Sequence, residues 1–282
     1  MNKTFLLFCG LCFLFCPLSA QASPMDMMLA EMAGRARALR DLLETVHGTF
    51  LIYTIEKGLT AKIKRIMGNA DDSIESGFEC EVGNIKYQTT QKWPERMMVK
   101  VRASVSRTDL IKNYVDHLQK NVKMKKISEK DASEILPLLQ AVFAEAEYFG
   151  EAYGISTNCK DQAIQKFSGQ TTFSRLDAQQ EVLYFYQEKA LKLLPSLGSF
   201  FILEETATHT KYAMRVFGIQ CKLPEPDFSK LEVCPVEATW TREAFIASLS
   251  ICLKEAKKSA LTKEELAELQ KLPESKTIVI QE

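Results

Sequence analysis

Apolar residues recur at helical spacing over residues 24–48. The stripe has spacings of three, four or seven residues and consists of Met28, Met32, Leu39, Leu42 and Val46. Such spacings place these side chains on one side of a helix, which Gly48 can end. A stripe of this kind usually packs into the protein core. Because methionine side chains also adapt to a partner's surface, a docking role is open as well.

Further helices are predicted where a polar side chain can cap an amphipathic run. With their caps, they are residues 129–154 after Ser128, a short helix after Asn158, residues 175–194 after Ser174, residues 242–258 after Thr241, and a last helix after Thr262. Glu265 completes a capping box with Thr262, and Pro195 ends the third helix. Residues 49–68 also keep helical spacing and are predicted to be helical.

Alternation of apolar and polar residues predicts strands elsewhere. Residues 77–90 predict a hairpin that turns at Gly83 and Asn84. Its buried face is expected to consist of Phe78, Val82 and Ile85. Residues 200–217 predict a second strand pair, because β-branched residues are frequent there. Residues 276–282 predict one edge strand.

Residues 95–120 fit two patterns. They alternate as a strand to about residue 105, followed by a helix that Ser106 or Thr108 caps, but their spacing also fits one continuous helix. We favour strand and then helix. All these patterns together predict an α+β fold dominated by amphipathic helices, with a small antiparallel sheet.

The N-terminus has the pattern of a secretory signal peptide. Lys3 precedes an apolar run over residues 5–18, and Ala20 and Ala22 form a small-x-small cleavage site. We expect cleavage after Ala22, a mature globular region over residues 23–282, and a periplasmic or secreted location. The apolar run is short for a bilayer, which needs about 20 residues, and no later run approaches that length. No membrane span is therefore expected after cleavage.

Charge is unevenly distributed along a chain whose formal net charge is zero. Residues 56–130 carry 16 Lys and Arg against 10 Asp and Glu, a net +6, whereas residues 131–210 carry 5 against 11, a net −6. Two lobes of opposite charge, or two faces for different partners, are one interpretation. Two ordinary solvated surfaces are the other. We expect no nucleic-acid partner.

Five cysteines remain after the expected cleavage: Cys80, Cys159, Cys221, Cys234 and Cys252. An exported protein meets an oxidising compartment, so a disulfide between Cys221 and Cys234 is predicted, with Cys159–Cys252 as a weaker second pair. Cys80 would then be left over, either buried or joined to a second molecule. Twelve residues separate Cys221 from Cys234, which is wider than zinc sites favour. We therefore expect no metal site.

Catalytic motifs are absent from the mature sequence: there is no GxSxG, SxxK, HExxH, CxxC or Walker A pattern. We expect no cofactor. The best acidic candidates are Glu147 and Glu151, which would share one face of the predicted helix beside Tyr148 and Tyr153. Such a pair can supply the general acid of a glycan-cleaving enzyme. Like-charged pairs at this spacing also occur on solvated helix faces.

Two functions follow as hypotheses from these patterns. The first is an exported, non-enzymatic envelope protein that acts as a binding or assembly module, with a protein partner on the Met28 and Met32 side of the first helix. The second is a cell-wall glycan hydrolase that uses Glu147 and Glu151. The sequence favours the first, because no catalytic motif accompanies the two glutamates.

Overall fold

The computed structural model describes residues 22–56, 63–64, 80–229 and 235–280. Within these ranges the fold is α+β, as predicted. In chain order the elements are α1 (Pro24–His47), β1 (Thr49–Glu56), β2 (Ile63–Lys64), β3 (Lys86–Trp93), β4 (Met98–Ser106), α2 (Arg107–Lys123), α3 (Glu129–Val142), β5 (Glu147–Ile155), α4 (Gln162–Leu193), α5 (Gly198–Phe201), β6 (Ile202–Glu205), β7 (His209–Val216), β8 (Gln220–Lys222), β9 (Val236–Thr241), α6 (Arg242–Glu255), α7 (Lys263–Leu269) and β10 (Ser275–Ile280).

The described strands form three antiparallel sheets. Their strand orders are β3–β4–β5, β2–β1–β7–β6 and β8–β9–β10. The first sheet is covered on one side by α1, and buried apolar residues of α2 and α3 belong to the same hydrophobic cluster. The second cluster gathers around the long helix α4 and the other two sheets.

Helix α1 lies against β5 with almost no side chain between the two backbones. An added Cβ at Gly150 would overlap the carbonyl oxygen of Ala38, and one at Gly154 would overlap that of Ala30. On the helix side, a Cβ at Gly34 would lie 2.6 Å from Val101 Cγ2. Glycine is therefore required at these contacts, and the inner face of α1 is lined by small residues.

This packing corrects the predicted core stripe of α1. Leu42 and Val46 are buried as expected, but Met28 and Met32 point away from the sheet and are 47% and 60% exposed. The cause is the close approach to β5, which leaves room only for alanine and glycine over most of the inner face.

Aromatic side chains fix α4 against the third sheet. Tyr186 stacks on Phe245 with ring centroids 5.2 Å apart and meets Trp240 edge-on at 5.6 Å. The polar atoms of these rings are also satisfied, since Trp240 Nε1 donates to Phe217 O at 2.8 Å and Tyr186 OH donates to Trp240 O at 3.2 Å. Buried rings with satisfied polar atoms make α4 a rigid centre of the fold.

Most local capping predictions are confirmed. Ser106 ends a strand and caps α2, Ser128 caps α3, and Thr241 caps α6. Thr262 and Glu265 form the predicted capping box of α7. The strand pair in residues 200–217 is β6 with β7, and the predicted edge strand is β10, which pairs with β9.

Two predicted helices are wrong where strands form instead. Residues 49–56 are β1, which pairs with β7 along all eight residues. The helix predicted over 129–154 ends at Val142, and residues 147–155 are β5, paired with β4 over nine residues. Both segments are rich in aromatic or β-branched residues, and pairing with a neighbouring strand overrides their helical spacing.

The predicted start of α4 is wrong as well. A single 32-residue helix begins after Asp161, whose side chain accepts the N–H groups of Ala163 and Ile164. Asn158 caps no helix and instead bonds to Asp26, while Ser174 is buried inside α4. In the sequence, Ser174 has the same local pattern as a serine that caps a helix. The two differ in burial, which the sequence does not give.

The hairpin predicted over residues 77–90 is wrong, because the hairpin in this region is formed by β3 and β4. Residues 77–79 are outside the described ranges, and Cys80–Ile85 contain no strand. β3 pairs with β4 through a turn at Pro94–Arg96, in which Met97 has a φ of 49°. Residues 86–90 are a strand, as predicted, but the partner strand was wrong, and so was the alternation, since Lys86, Tyr87 and Gln88 are all exposed. Of the expected buried face, Val82 and Ile85 are half-buried and Phe78 lies outside the described ranges. The predicted signal peptide covers residues 1–22, of which residues 1–21 lie outside the described ranges.

Candidate functional site

Glu151, one of the two candidate catalytic carboxylates, is the centre of a buried ion-pair cluster. Its Oε1 accepts Arg102 Nε at 2.9 Å and Arg102 Nη2 at 2.6 Å, and its Oε2 lies 3.0 Å from Lys100 Nζ. The Arg102 guanidinium also lies over the Phe149 ring, 4.3 Å from the centroid. The Glu151 side chain is only 1% exposed, so protein groups surround the carboxylate.

The same cluster holds a segment that crosses the sheet face opposite α1. This segment, residues 223–228, is called the strap below. Leu223 N–H donates to Glu151 Oε2 at 2.9 Å, and Lys100 Nζ donates to Leu223 O. Tyr153 OH donates to Pro224 O, and Phe228 meets Trp93 edge-on at 5.6 Å. The strap is therefore fastened along its length by β3, β4 and β5.

Glu147 does not form a pair with Glu151. It is exposed at the first position of β5, whereas Glu151 is buried four residues further along. A strand rises about 3.3 Å per residue, so the two residues are about 13 Å apart along the backbone. The predicted helical neighbour relationship is wrong, because the segment is a strand. The Glu151 carboxylate is a structural group in this geometry.

The four cysteines in the described ranges are buried free thiols: Cys80, Cys159, Cys221 and Cys252. The weaker predicted pair is not formed, since Cys159 Sγ points to Arg96 O at 3.7 Å and Cys252 Sγ to Arg215 O at 3.3 Å. Cys221 is a free thiol in this structure and Cys234 lies outside the described ranges, so the Cys221–Cys234 disulfide stays a prediction for the protein in an oxidising compartment. Burial raises the pKa of Cys80 to about 11, and that of Cys221 and Cys252 to about 12. Such thiols are poor nucleophiles at neutral pH.

Three exposed methionines stand on the outer side of α1. Met25, Met28 and Met32 are 58%, 47% and 60% exposed, and their spacing of three and four residues places them on one side of the helix. We call this surface the methionine face. The described part of the chain has eight large hydrophobic side chains that are at least 39% exposed, and three of them belong to the methionine face.

The helix that carries the methionine face is fixed at its N-terminus. Ser23 and Asp26 form a capping box, in which Asp26 N donates to Ser23 Oγ at 3.1 Å and Ser23 N to Asp26 Oδ2 at 3.0 Å. Asp26 Oδ1 also accepts Asn158 Nδ2 at 2.7 Å. These hydrogen bonds, led by that of Ser23, lower the pKa of Asp26 to about 2. The methionine face therefore belongs to a rigid element.

An arginine cluster between α1 and α4 was not found from the sequence. Arg175 is buried on α4 and forms ion pairs with Asp41 and Glu44 of α1. Glu44 also receives Arg40 Nε at 2.8 Å. The partners are more than 130 residues apart in the sequence, so no local pattern connects them. In the sequence, the repeated arginines of α1 are the only indication of this cluster, and a solvated helix surface can have the same pattern.

Comparisons with known proteins provide no family assignment. No family model, no curated protein and no solved structure matches this chain. Within the described ranges, no group of three or more His, Cys, Asp or Glu side chains is placed to hold a metal ion. No helix in those ranges has the length and apolar character to cross a membrane.

Proposed function

We propose that this chain is an exported, non-enzymatic protein of the cell envelope that acts as a binding or assembly module. Its protein partner contacts the methionine face of α1. The observation that supports this proposal is the exposure of Met25, Met28 and Met32 on a helix whose opposite side is locked onto the sheet.

The fold does not need these methionines in its core. Ala30, Gly34 and Ala38 provide the inner contact of α1, and glycines of β5 receive them. Covering a fully exposed methionine with a partner contributes about 1.5–3 kcal/mol, and these three side chains, 47–60% exposed, would contribute about half of that each. Methionine is also flexible enough to match an irregular partner surface. Three such side chains on a rigid helix are suited to docking.

Polar and aromatic groups border the methionine face. On one side Glu31 bonds to Thr89 and lies 3.7 Å from Lys92 Nζ. Further along the helix, the Arg35 guanidinium lies 5.8 Å from the centroid of the exposed Tyr87 ring. An apolar centre with a polar rim is the usual composition of a protein interface. The expected partner surface is apolar, with an acidic group opposite Arg35.

The glycan hydrolase hypothesis receives no support from β5. Both oxygens of Glu151 are occupied by Arg102, Lys100 and the N–H of Leu223. A general acid needs access to the glycosidic oxygen, and the buried Glu151 carboxylate, surrounded by protein groups, has none.

Paired substitutions test the proposal. Met28→Asp with Met32→Asp places two charges on the methionine face without touching the core. Met124→Asp is the matched control, because Met124 is 46% exposed and directly follows α2, away from α1. We expect one defined protein to co-purify with the unchanged chain and with the control variant from the native envelope, and to be missing from the preparation of the double variant. Loss of the same protein from both, or from neither, contradicts the proposal.

A further inference from the structure

A small polar pocket of about 150 Å³ lies where α1, β5 and α4 meet. Its charged and hydroxyl-bearing lining residues include Arg37, Arg40, Asp41, Ser168, Thr172 and Arg175. One water molecule occupies about 30 Å³ of liquid, so the pocket has room for a small ligand group. It lies between the backbones of two helices and a strand that the core holds rigidly.

The charges that line the pocket are mostly positive. The lining contains three guanidinium groups and one carboxylate, that of Asp41. Arg175 pairs with Asp41 and Glu44, and Arg40 with Glu44. No carboxylate of the described residues lies within ion-pair distance of Arg37. The excess positive charge of the pocket is therefore carried by Arg37.

Arg37 is also held in place. Its Nη1 donates to Tyr153 O at 3.1 Å and to Ser168 Oγ. Its Nε and Nη2 donate to no other described residue. The guanidinium is a planar fork that matches the two oxygens of a carboxylate or phosphate. Because protein atoms orient this fork in advance, a ligand does not have to order it.

Gly169 is an exposed residue at the edge of the pocket. It lines the pocket from the interior of α4, where glycine weakens a helix. A Cβ added at Gly169 would meet no atom within 4 Å, so packing does not require glycine there. This differs from Gly34, Gly150 and Gly154, which the contact between α1 and the sheet requires. An alanine side chain at this position would lie in open space beside the pocket.

We infer that this pocket binds the oxyanion group of a ligand, a carboxylate or a phosphate, with Arg37 as its principal contact and the hydroxyl groups of Ser168 and Thr172 beside it. Arg175 and Asp41 form its charged floor. The inference does not depend on the methionine face. A ligand group here would be bound on a different side of α1 from the proposed protein partner.

Calorimetric titration of the mature protein tests the inference, in a buffer free of oxyanions. Inorganic phosphate and succinate are the two probes, and they distinguish a phosphate ligand from a carboxylate ligand. We expect saturable binding of one probe below about 10 mM. Arg37→Gln removes a charge-assisted contact and is expected to weaken this binding by about tenfold or more.

Arg35→Gln is the matched control, because Arg35 is exposed on the same helix and lies over Tyr87 instead of the pocket. It is expected to bind the probe as the unchanged protein does. Arg37→Lys keeps the charge but loses the fork, and is expected to have intermediate affinity. Circular dichroism checks that every variant is folded. The inference is overturned if neither probe saturates, or if Arg37→Gln and Arg35→Gln behave alike.

Discussion

The buried carboxylate of Glu151 accepts the backbone N–H of Leu223 at 2.9 Å. This bond joins the acidic segment around Glu147 to the proline-containing segment between Cys221 and Cys234. Glu151 belongs to the structure that holds the strap, since Lys100, one of the two cations that neutralise it, also donates to Leu223 O of the strap.

Glu151→Gln is expected to destabilise the protein. It leaves Lys100 and Arg102 without their carboxylate, and breaking a fully buried pair costs about 3–5 kcal/mol. Because the Arg102 side chain is one-third exposed, we expect about 2–3 kcal/mol in urea denaturation. Glu147→Gln, at an exposed site of the same strand, is expected to change stability by less than about 0.5 kcal/mol. Equal effects of the two substitutions would contradict the structural role of Glu151.

Substitution of glycine by alanine is expected to have opposite effects on stability at two positions, Gly154 in the contact between α1 and β5 and Gly169 in α4. Gly154→Ala forces a Cβ into the backbone of α1, which we expect to cost about 3 kcal/mol or more. Gly169→Ala meets no atom within 4 Å and is expected to stabilise α4 by about 0.5–1 kcal/mol. Thermal unfolding of the two variants measures both effects. Similar shifts in the same direction would show that the approach of α1 to β5 is looser than described.

The pKa of Asp26 predicts acid sensitivity at the start of α1. Its hydrogen bonds lower this pKa from 3.8 to about 2, so the stability that Asp26 contributes is complete above about pH 4 and is lost as the pH falls towards 2. Asp26→Asn is expected to reduce the loss of stability over this range. Asp116→Asn, at an exposed position of α2, is the control. Urea denaturation at several pH values tests this, and identical pH profiles for all three proteins would refute it.

The predicted Cys221–Cys234 disulfide would close a loop that contains the strap. A loop of this length contributes about 3 kcal/mol in the chain-entropy account. Peptide mapping without reduction, on protein isolated from the periplasm, is expected to recover the two cysteines in one linked peptide pair. Recovery of both as free thiols would show that Glu151, Lys100 and Tyr153 hold the strap without a covalent bond.

Local chemistry explains which parts of the fold the sequence could predict. A serine or threonine that accepts an N–H three residues later acts through its immediate neighbours, so the caps at Ser106, Ser128 and Thr262 were predictable. The strands at 49–56 and 147–155 depend on partners elsewhere in the chain, and their apolar spacing fitted a helix equally well.

The candidate sites needed tertiary information for the same reason. Met28 and Met32 have the spacing of a core stripe, and their exposure follows only from the glycines of β5. The burial of Glu151 follows from Arg102 on the next strand, and the environment of Arg37 follows from α4. The spacing of the methionines predicted that they share one side of α1, but not whether that side faces the core or the solvent.

Site-specific photo-crosslinking tests the central proposal, docking through the methionine face, most directly. A photoreactive phenylalanine derivative is placed at position 28, at position 32 or at the control position 124, and cells are irradiated with the envelope intact. The proposal predicts one crosslinked protein of the same mass from positions 28 and 32 and no such product from position 124. The same products from all three positions, or none from positions 28 and 32, would contradict it.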